Sequence, residues 1–373
     1  MIDGAPPQAA IVACVGVAAW KRASVARLIA ADGRASGPSA DLGRPAFRAR
    51  AGPALRRARD LGGAVGVWPS RAPADIESQA QALGVPLVCI EDGFIRSAGL
   101  GAECRPPASI VLDRAGVHFD PRRPSDLELH LTHDHFGETL TSRAQQLIER
   151  IVALGVTKYN LSGQAPPFRG GRRTVLVPGQ VEDDLSVKLG GAGVAGNLDL
   201  LRRVRQIEPD AVVLYRPHPD VEAGYRKGLI RDADALRYVD QVLRGHALPA
   251  LLTSVDAVHV LTSLTGFEAL LRGREVVVHG QPFYAGWGLT RDLSPPPRRG
   301  RRLALAELAA AALILYPRYI DPMTGETCSP ETLVARLADQ PEPRPGLLPA
   351  LRRLQVGAFR SLDMAAATSM ANG

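Results

Sequence analysis

Four segments carry residue types and spacings that can do chemistry. Glu91-Asp92-Gly93-Phe94-Ile95-Arg96-Ser97 sets two carboxylates before a turn-permitting glycine, with an arginine a short way on. A carboxylate such as Glu91 can act as acid or base toward an acceptor hydroxyl, and Asp92 and Arg96 can bind the substrate. The plain alternative is that Asp92 caps a helix and Arg96 pairs with a neighbouring acid. Gln180-Val181-Glu182-Asp183-Asp184-Leu185-Ser186 places three acids in a row. Like charges this close cost energy unless a cation or a reaction uses them, and one of the acids can attack an anomeric carbon. A metal-binding acidic motif is the rival for the same run.

Tyr215-Arg216-Pro217-His218-Pro219-Asp220 holds His218 between two prolines, in a rigid bend from which it can bond a phosphate and give a proton to a leaving group. A surface-loop histidine is the plain alternative. In Thr262-Ser263-Leu264-Thr265-Gly266-Phe267-Glu268, hydroxyls and free backbone N–H groups gather where a helix begins, which suits an anion. N-capping by Ser263 or Thr265 is compatible with that use. Gln180, Arg216, Pro219, Thr262, Ser263, Thr265 and Glu268 are therefore candidate substrate contacts, beside Asp92 and Arg96.

Two other patterns carry less. Gly191, Gly193 and Gly196 match the spacing of a dinucleotide fingerprint, but that fingerprint follows its strand at once, and here the acidic run intervenes. His130, His133 and His135 resemble metal ligands, yet no matching Cys or acidic pair stands at a closing distance, so no metal site is expected.

These residues need elements to hold them. Apolar runs alternate with helical patterns: AIVACVGV, AGPALRRARDL, GAVGVWP, ADIESQAQALG and VPLVCIED, which predicts a parallel sheet in an α/β domain. A helix over 138–154 leads to a Gly-, Pro- and Arg-rich connection near Pro166 to Arg173. The alternation then resumes with TVLVPG, NLDLLRRVRQI, AVVLYRPHP and EVVVHGQP. The expected organisation is α/β: an N-terminal domain over 1–168, a C-terminal domain over 169–340, and a tail over 341–373. Both domains are expected to be Rossmann-like and to face each other across a cleft, with the polar candidates at strand ends, where open α/β sheets bind ligands.

A chain of 373 residues is long enough for two domains, and 46% hydrophobic with 22% charged residues is a soluble globular balance. The first basic residues, Lys21 and Arg22, follow the leading apolar run, the wrong order for a secretory signal, and no run reaches membrane-spanning length. A cytoplasmic protein is expected. The four cysteines are scattered without a CxxC pair, so neither disulfides nor structural zinc are expected. The net charge of +7 suits an anionic partner, and without a nucleic-acid-binding signature an acidic substrate uses it better than nucleic acid does. In the tail, Leu348, Leu351, Leu354, Phe359 and Leu362 alternate with Arg352, Arg353 and Arg360. That pattern fits a basic amphipathic helix on an anionic leaflet, a helix packed on the second domain, or a disordered end.

Together these residues resemble the capsular polysaccharide β-Kdo transferases of Gram-negative bacteria. The matching stretches, in family order over about 10 to 335, include EDGFIRSAGLGAECRPPASIVLDRAGVHFDP, KYNL, VLVPGQVEDDLS, YRPHPDV, LTSLTGFEALLRG, HGQPFYAGWGLTRD and YPRYIDPMTGE. Many members carry two such modules; this chain carries one, closer to the second. The resemblance implies a GT-B-like fold with an acceptor-side N-terminal and a donor-binding C-terminal domain, CMP-Kdo as donor, no cofactor, and retention of β configuration through a covalent Kdo-enzyme adduct. It also implies a lipid-linked acceptor, with contact to the inner membrane and to capsule assembly proteins. By the family pattern Asp184 is the nucleophile, Glu91 the acid/base and His218 the phosphate contact. A monophosphate leaving group argues against a metal at the acidic run, since there is no diphosphate for a divalent ion to bridge. From a different class, the alternative is a non-catalytic capsule-export or polysaccharide-binding component.

Overall fold

The computed structural model describes residues 9–30, 43–99, 103–161, 163–164 and 171–339. Two six-stranded sheets organise them. The first contains β1 (Ile11–Val15), β2 (Ala46–Arg48), β3 (Ala64–Val67), β4 (Leu87–Asp92) and β5 (Ser109–Asp113). The second contains β6 (Thr174–Pro178), β7 (Val212–Arg216), β8 (Gln241–Val242), β9 (Ala257–Val260), β10 (Glu275–Val278) and β11 (Arg291–Asp292). A last strand, β12 (Pro317–Tyr319), returns to the first sheet.

Strand order is β12-β5-β4-β3-β1-β2 in one sheet and β11-β10-β9-β6-β7-β8 in the other. The second sheet is parallel throughout. Its central strands are buried along their length, as β6 and β9 are, because helices cover both faces. The helix Asn197–Ile207 is one such cover, turning Leu200, Leu201 and Val204 inward and leaving Arg202 exposed. The expected pair of Rossmann-like domains across a cleft is the architecture observed.

The first sheet departs from the parallel expectation. β5 runs antiparallel to β4, and β12 antiparallel to β5. A parallel return needs a crossover, usually a helix, and the described residues between β4 and β5 contain none, so the chain doubles back.

The boundary at 168/169 is corrected at its far end. The C-terminal domain expected over 169–340 ends sooner, because after β11 the chain crosses back to the first domain. The helical segments Leu305–Ala309 and Ala310–Leu315 pack on the helix Glu138–Ala153, β12 joins β5, and the helix Pro330–Asp339 docks on the same 138–153 helix. Arg143 clamps that last helix through Glu331 at 2.7 Å. The physical reason lies in AELAAAALIL, apolar nearly all round, which needs cover on several sides; Leu308 to Leu313 are buried accordingly. The tail over 341–373 lies outside the described residues.

Each sheet has one point where the chain reverses its direction of strand addition. In the second sheet β7 lies on one side of β6 and β9 on the other. In the first, β2 lies on one side of β1 and β3 on the other. Loops leaving such strands diverge and open a crevice at their carboxyl ends.

Candidate active site

A cleft of about 940 Å³ runs between the two domains. It is lined from the first domain by the ends of β1, β3 and β4, and from the second by the ends of β6, β7 and β9. Of the candidates named from sequence, Glu91, Asp92, Gln180, Asp184, Arg216, His218, Pro219, Thr262, Ser263, Thr265 and Glu268 all line it.

Arg96 does not, and its assignment as a substrate contact is corrected. It is 0% exposed beneath the cleft floor, where Nε stands 2.8 Å from Asp92 Oδ2 and the other nitrogens donate to Ser97 Oγ and the Arg105 carbonyl. Its guanidinium neutralises Asp92 from behind. Lys21 does so from the front, with Nζ 3.0 Å from Asp92 Oδ2 and 3.1 Å from Oδ1.

This pairing separates the two neighbouring carboxylates. Burial works to raise Asp92, but Arg96 and then Lys21 overcome it and hold that carboxyl well below the usual carboxylate range. Burial, and then the negative charge of Asp92, push the Glu91 carboxyl up to about 7. Glu91 Oε1 also accepts the Asp92 backbone N–H at 2.9 Å, which fixes one of its oxygens. Two adjacent acids thus differ in protonation near neutrality, which suits Glu91 for moving a proton.

The acidic run after β6 sorts into three roles. Glu182 turns away: its Oε1 accepts the Asn197 backbone N–H at 2.7 Å. Asp183 Oδ1 pairs with Arg226 at 3.2 Å. Asp184 caps the helix Leu185–Gly190, with Oδ1 accepting from Ser186 N at 3.0 Å and Ser186 Oγ at 2.9 Å. Its side chain is still 44% exposed, and Oδ2 stands 3.6 Å from Arg226. One oxygen is anchored and the other faces the cleft.

The glycine-rich loop supports this arrangement rather than binding a dinucleotide. Gly196 sits at φ +125, where a Cβ would meet Glu182 Oε1 at 2.6 Å, so glycine alone lets Glu182 approach Asn197. Asn197 in turn accepts from Gln180 N at 2.7 Å and donates to the Gln180 carbonyl at 2.9 Å, locking the start of the acidic run.

His218 caps the short helix Pro219–Glu222 by accepting the Asp220 N–H at Nδ1, 3.1 Å away. Burial, then the positive charges of Lys158 and Arg216, hold its imidazole down at about 3. It is therefore neutral, with Nδ1 used as acceptor and the proton on Nε2. That geometry fits a hydrogen-bond donor to a phosphate better than the ready proton source expected from sequence. Ser263 caps the helix Leu264–Leu271 through Thr265 N at 3.2 Å, so capping and cleft-lining coincide there.

Among the cleft residues that were not named as candidates are Lys21, Lys158 and His118. Lys21 stood out in the sequence only as the first basic residue after the apolar run, and nothing in its spacing tied it to Asp92, 71 positions on. Lys158 and His118 lie in KYNL and GVHFD, stretches that carry the family likeness, which was the available signal. Burial opposes the Lys158 charge, but Tyr159, Asp92 and Glu91 outweigh it and push the ammonium up to about 12, so it stays a cation in the cleft. His118 is neutral, its imidazole held down at about 3 by burial and edge-on to Phe94 at 4.9 Å. His130 lies away from the cleft and bonds Asp134 at 2.7 Å. No cluster of three or more His, Cys, Asp or Glu able to hold a metal occurs among the described residues.

The model of the capsule polysaccharide biosynthesis protein family matches residues 63–163 and 138–319, and the chain belongs to that family. The capsule polysaccharide modification protein LipA of Neisseria meningitidis serogroup A is 46% identical over 257 residues, covering 69% of this chain and 36% of LipA. The lipopolysaccharide-processing protein LpsZ of Rhizobium meliloti is 45% identical over 259 residues, 68% of this chain and 59% of LpsZ. The chain thus matches about a third of LipA and under two thirds of LpsZ. Among solved structures, the β-Kdo 2,4 transferase of Thermosulfurimonas dismutans KpsC superposes with a TM-score of 0.73 at 30% identity, over 88% of this chain and 98% of that one. The β-Kdo 2,7 transferase of the same protein gives 0.70 at 31%, over 88% and 99%.

Proposed function

We propose that this member of the capsule polysaccharide biosynthesis family is a retaining glycosyltransferase that moves Kdo from CMP-Kdo onto a lipid-linked, Kdo-bearing acceptor. One observation carries the reading: a single cleft gathers Glu91 from one domain with Asp184 and His218 from the other. The likeness to two β-Kdo transferases supports Kdo as the sugar.

In the first step Oδ2 of Asp184, the oxygen not held by Ser186, attacks the anomeric carbon of the Kdo unit, and the bond from that carbon to the phosphate oxygen breaks. CMP leaves with the electron pair. The Nε2–H of His218 and the cationic side chains of Arg216 and Lys158 stabilise the charge that gathers on it. In the second step Glu91 takes the proton of the acceptor hydroxyl, whose oxygen attacks the same carbon and releases Asp184. Two inversions give net retention.

The leaving group is a monophosphate, so the scheme has no diphosphate for a divalent ion to bridge and needs no cofactor. No described helix is long and apolar enough to cross a membrane. A cytoplasmic donor and a lipid acceptor put the reaction at the inner face of the inner membrane, with peripheral contact and capsule assembly proteins nearby. The test is transfer itself: with CMP-Kdo generated in situ and a short β-Kdo acceptor, mass spectrometry should find the acceptor extended by Kdo. CMP-Kdo consumed no faster than without protein, and no extended acceptor, would overturn the proposal.

A further inference from the structure

The switch point of the second sheet, between β6 and β9, supplies the donor machinery. The switch point of the first sheet, between β1 and β3, has no role in either chemical step. Yet its loops form a whole wall of the cleft: Gly16, Trp20 and Lys21 after β1, and Trp68, Ser70 and Arg71 after β3. The two loops are pressed together. Gly16 sits at φ +81, and a Cβ there would lie 2.9 Å from the Trp68 carbonyl oxygen and 3.1 Å from that of Arg71.

Within this wall Lys21 is already committed, its Nζ bonded to Asp92 and 3.6 Å from the centre of the Trp68 ring. Trp20 lines the cleft half-buried, with Lys21 Nζ 5.2 Å and the Arg96 guanidinium 5.8 Å from its ring, and beside it in the wall the exposed Arg71 has no charge partner among the described residues. Arg22 and Arg48 continue the positive charge along the ends of β1 and β2, with Arg48 in register with Val15 and the Arg22 guanidinium 5.6 Å over the Phe47 ring. Both are exposed. None of Arg22, Arg48 and Arg71 forms an ion pair with a described residue; the side chains of Arg22 and Arg48 donate only to the Val17 and Phe47 carbonyls. A wall that carries both an aromatic side chain and unneutralised guanidinium groups suits a ligand that is a ring on one side and a carboxylate on the other.

We propose that this wall is the acceptor subsite and that it selects an acidic sugar: Trp20 covers the ring of the acceptor's terminal unit, and Arg71 binds its carboxylate. Arg22 and Arg48 receive the next acidic unit. The inference rests on the transferase reading, because Glu91, at the end of β4 in the same sheet, then faces the hydroxyl that the subsite presents.

The test is calorimetric titration of the full chain with a β-linked Kdo disaccharide, a neutral disaccharide, and CMP. The acidic disaccharide should bind in preference to the neutral one, and less tightly in high salt. Arg71→Gln and Trp20→Ala should each weaken it roughly tenfold, and Arg71→Lys should recover part of the loss. Arg231→Gln, which removes the same charge from an exposed position in the other domain, should leave it within about twofold. A wild-type chain that ignores CMP yet binds the disaccharide in this pattern leaves the subsite standing and removes the transferase reading. Equal disaccharide affinity in wild type, Arg71→Gln and Trp20→Ala, or no preference for the acidic sugar, overturns the subsite.

Discussion

The backbone N–H of Lys158 donates to Glu268 Oε1 at 2.8 Å, and that bond joins the two halves of the cleft. Lys158 follows the long helix of the first domain, whereas Glu268 lies on the helix after β9 in the second. The Lys158 carbonyl also accepts from Arg96 N and Ser97 N, which ties the same residue to the strand end that carries Glu91 and Asp92. Glu268→Ala leaves the part-buried Lys158 N–H without this partner, at the lower end of the roughly 1–3 kcal/mol that a fully buried donor would cost. Transfer should fall more than CMP affinity does, since Asp184, Arg216 and His218 keep their places while their alignment with Glu91 loosens. Equal losses in both would argue against an alignment role.

Asp184→Asn should reduce transfer by roughly a thousandfold or more while the melting temperature barely moves. Asparagine caps a helix about as well as aspartate does, so the bond to Ser186 N survives and only the nucleophile is lost. Asp183→Asn, which breaks the exposed pair with Arg226, should retain most activity. The reverse pattern in initial rates would move the nucleophile one residue back.

Because Glu91 must be ionised to take a proton and its carboxyl sits at about 7, the rate of acceptor use should rise with pH and level off above that value. Asp92→Asn removes the charge that helps to raise Glu91 and frees Lys21 and Arg96 beside it. The rising limb should then shift toward acid. A limb that stays in place in the variant would disconnect it from Glu91.

A second pH effect concerns stability. His259, on β9, and His279, directly after β10, lie buried in the second domain with ring nitrogens 3.1 Å apart, and burial holds both down at about 4. The unfolded chain binds their protons first as pH falls below about 6.5, so stability should drop between there and about 4. The slope is roughly 1.4 kcal/mol per pH unit for each proton. Urea unfolding at stepped pH should find a shallower slope in His279→Gln than in wild type; identical slopes would contradict it.

Much of this was legible in the sequence. Glu91, Asp184, His218 and Thr262 each follow a buried apolar run, so the strand-end rule alone brings them to one cleft. What was not legible depends on contacts between distant positions. Arg96 admits both readings in the sequence, substrate contact or partner of a neighbouring acid, and its buried guanidinium beside Asp92 selects the second; Lys21, by contrast, is tied to that acid only by the fold. The return of β12 to β5 spans over 200 residues and has no local periodic signal. The antiparallel β5 is hidden likewise, because buried parallel and antiparallel strands have the same apolar look.

The anomeric configuration of the product tests the central claim most directly. With CMP-Kdo supplied continuously and a soluble β-Kdo acceptor, nuclear magnetic resonance of the purified product should find the new unit β-linked, as two displacements through Asp184 require. An α-linked product would mean a single displacement by the acceptor and would contradict the account.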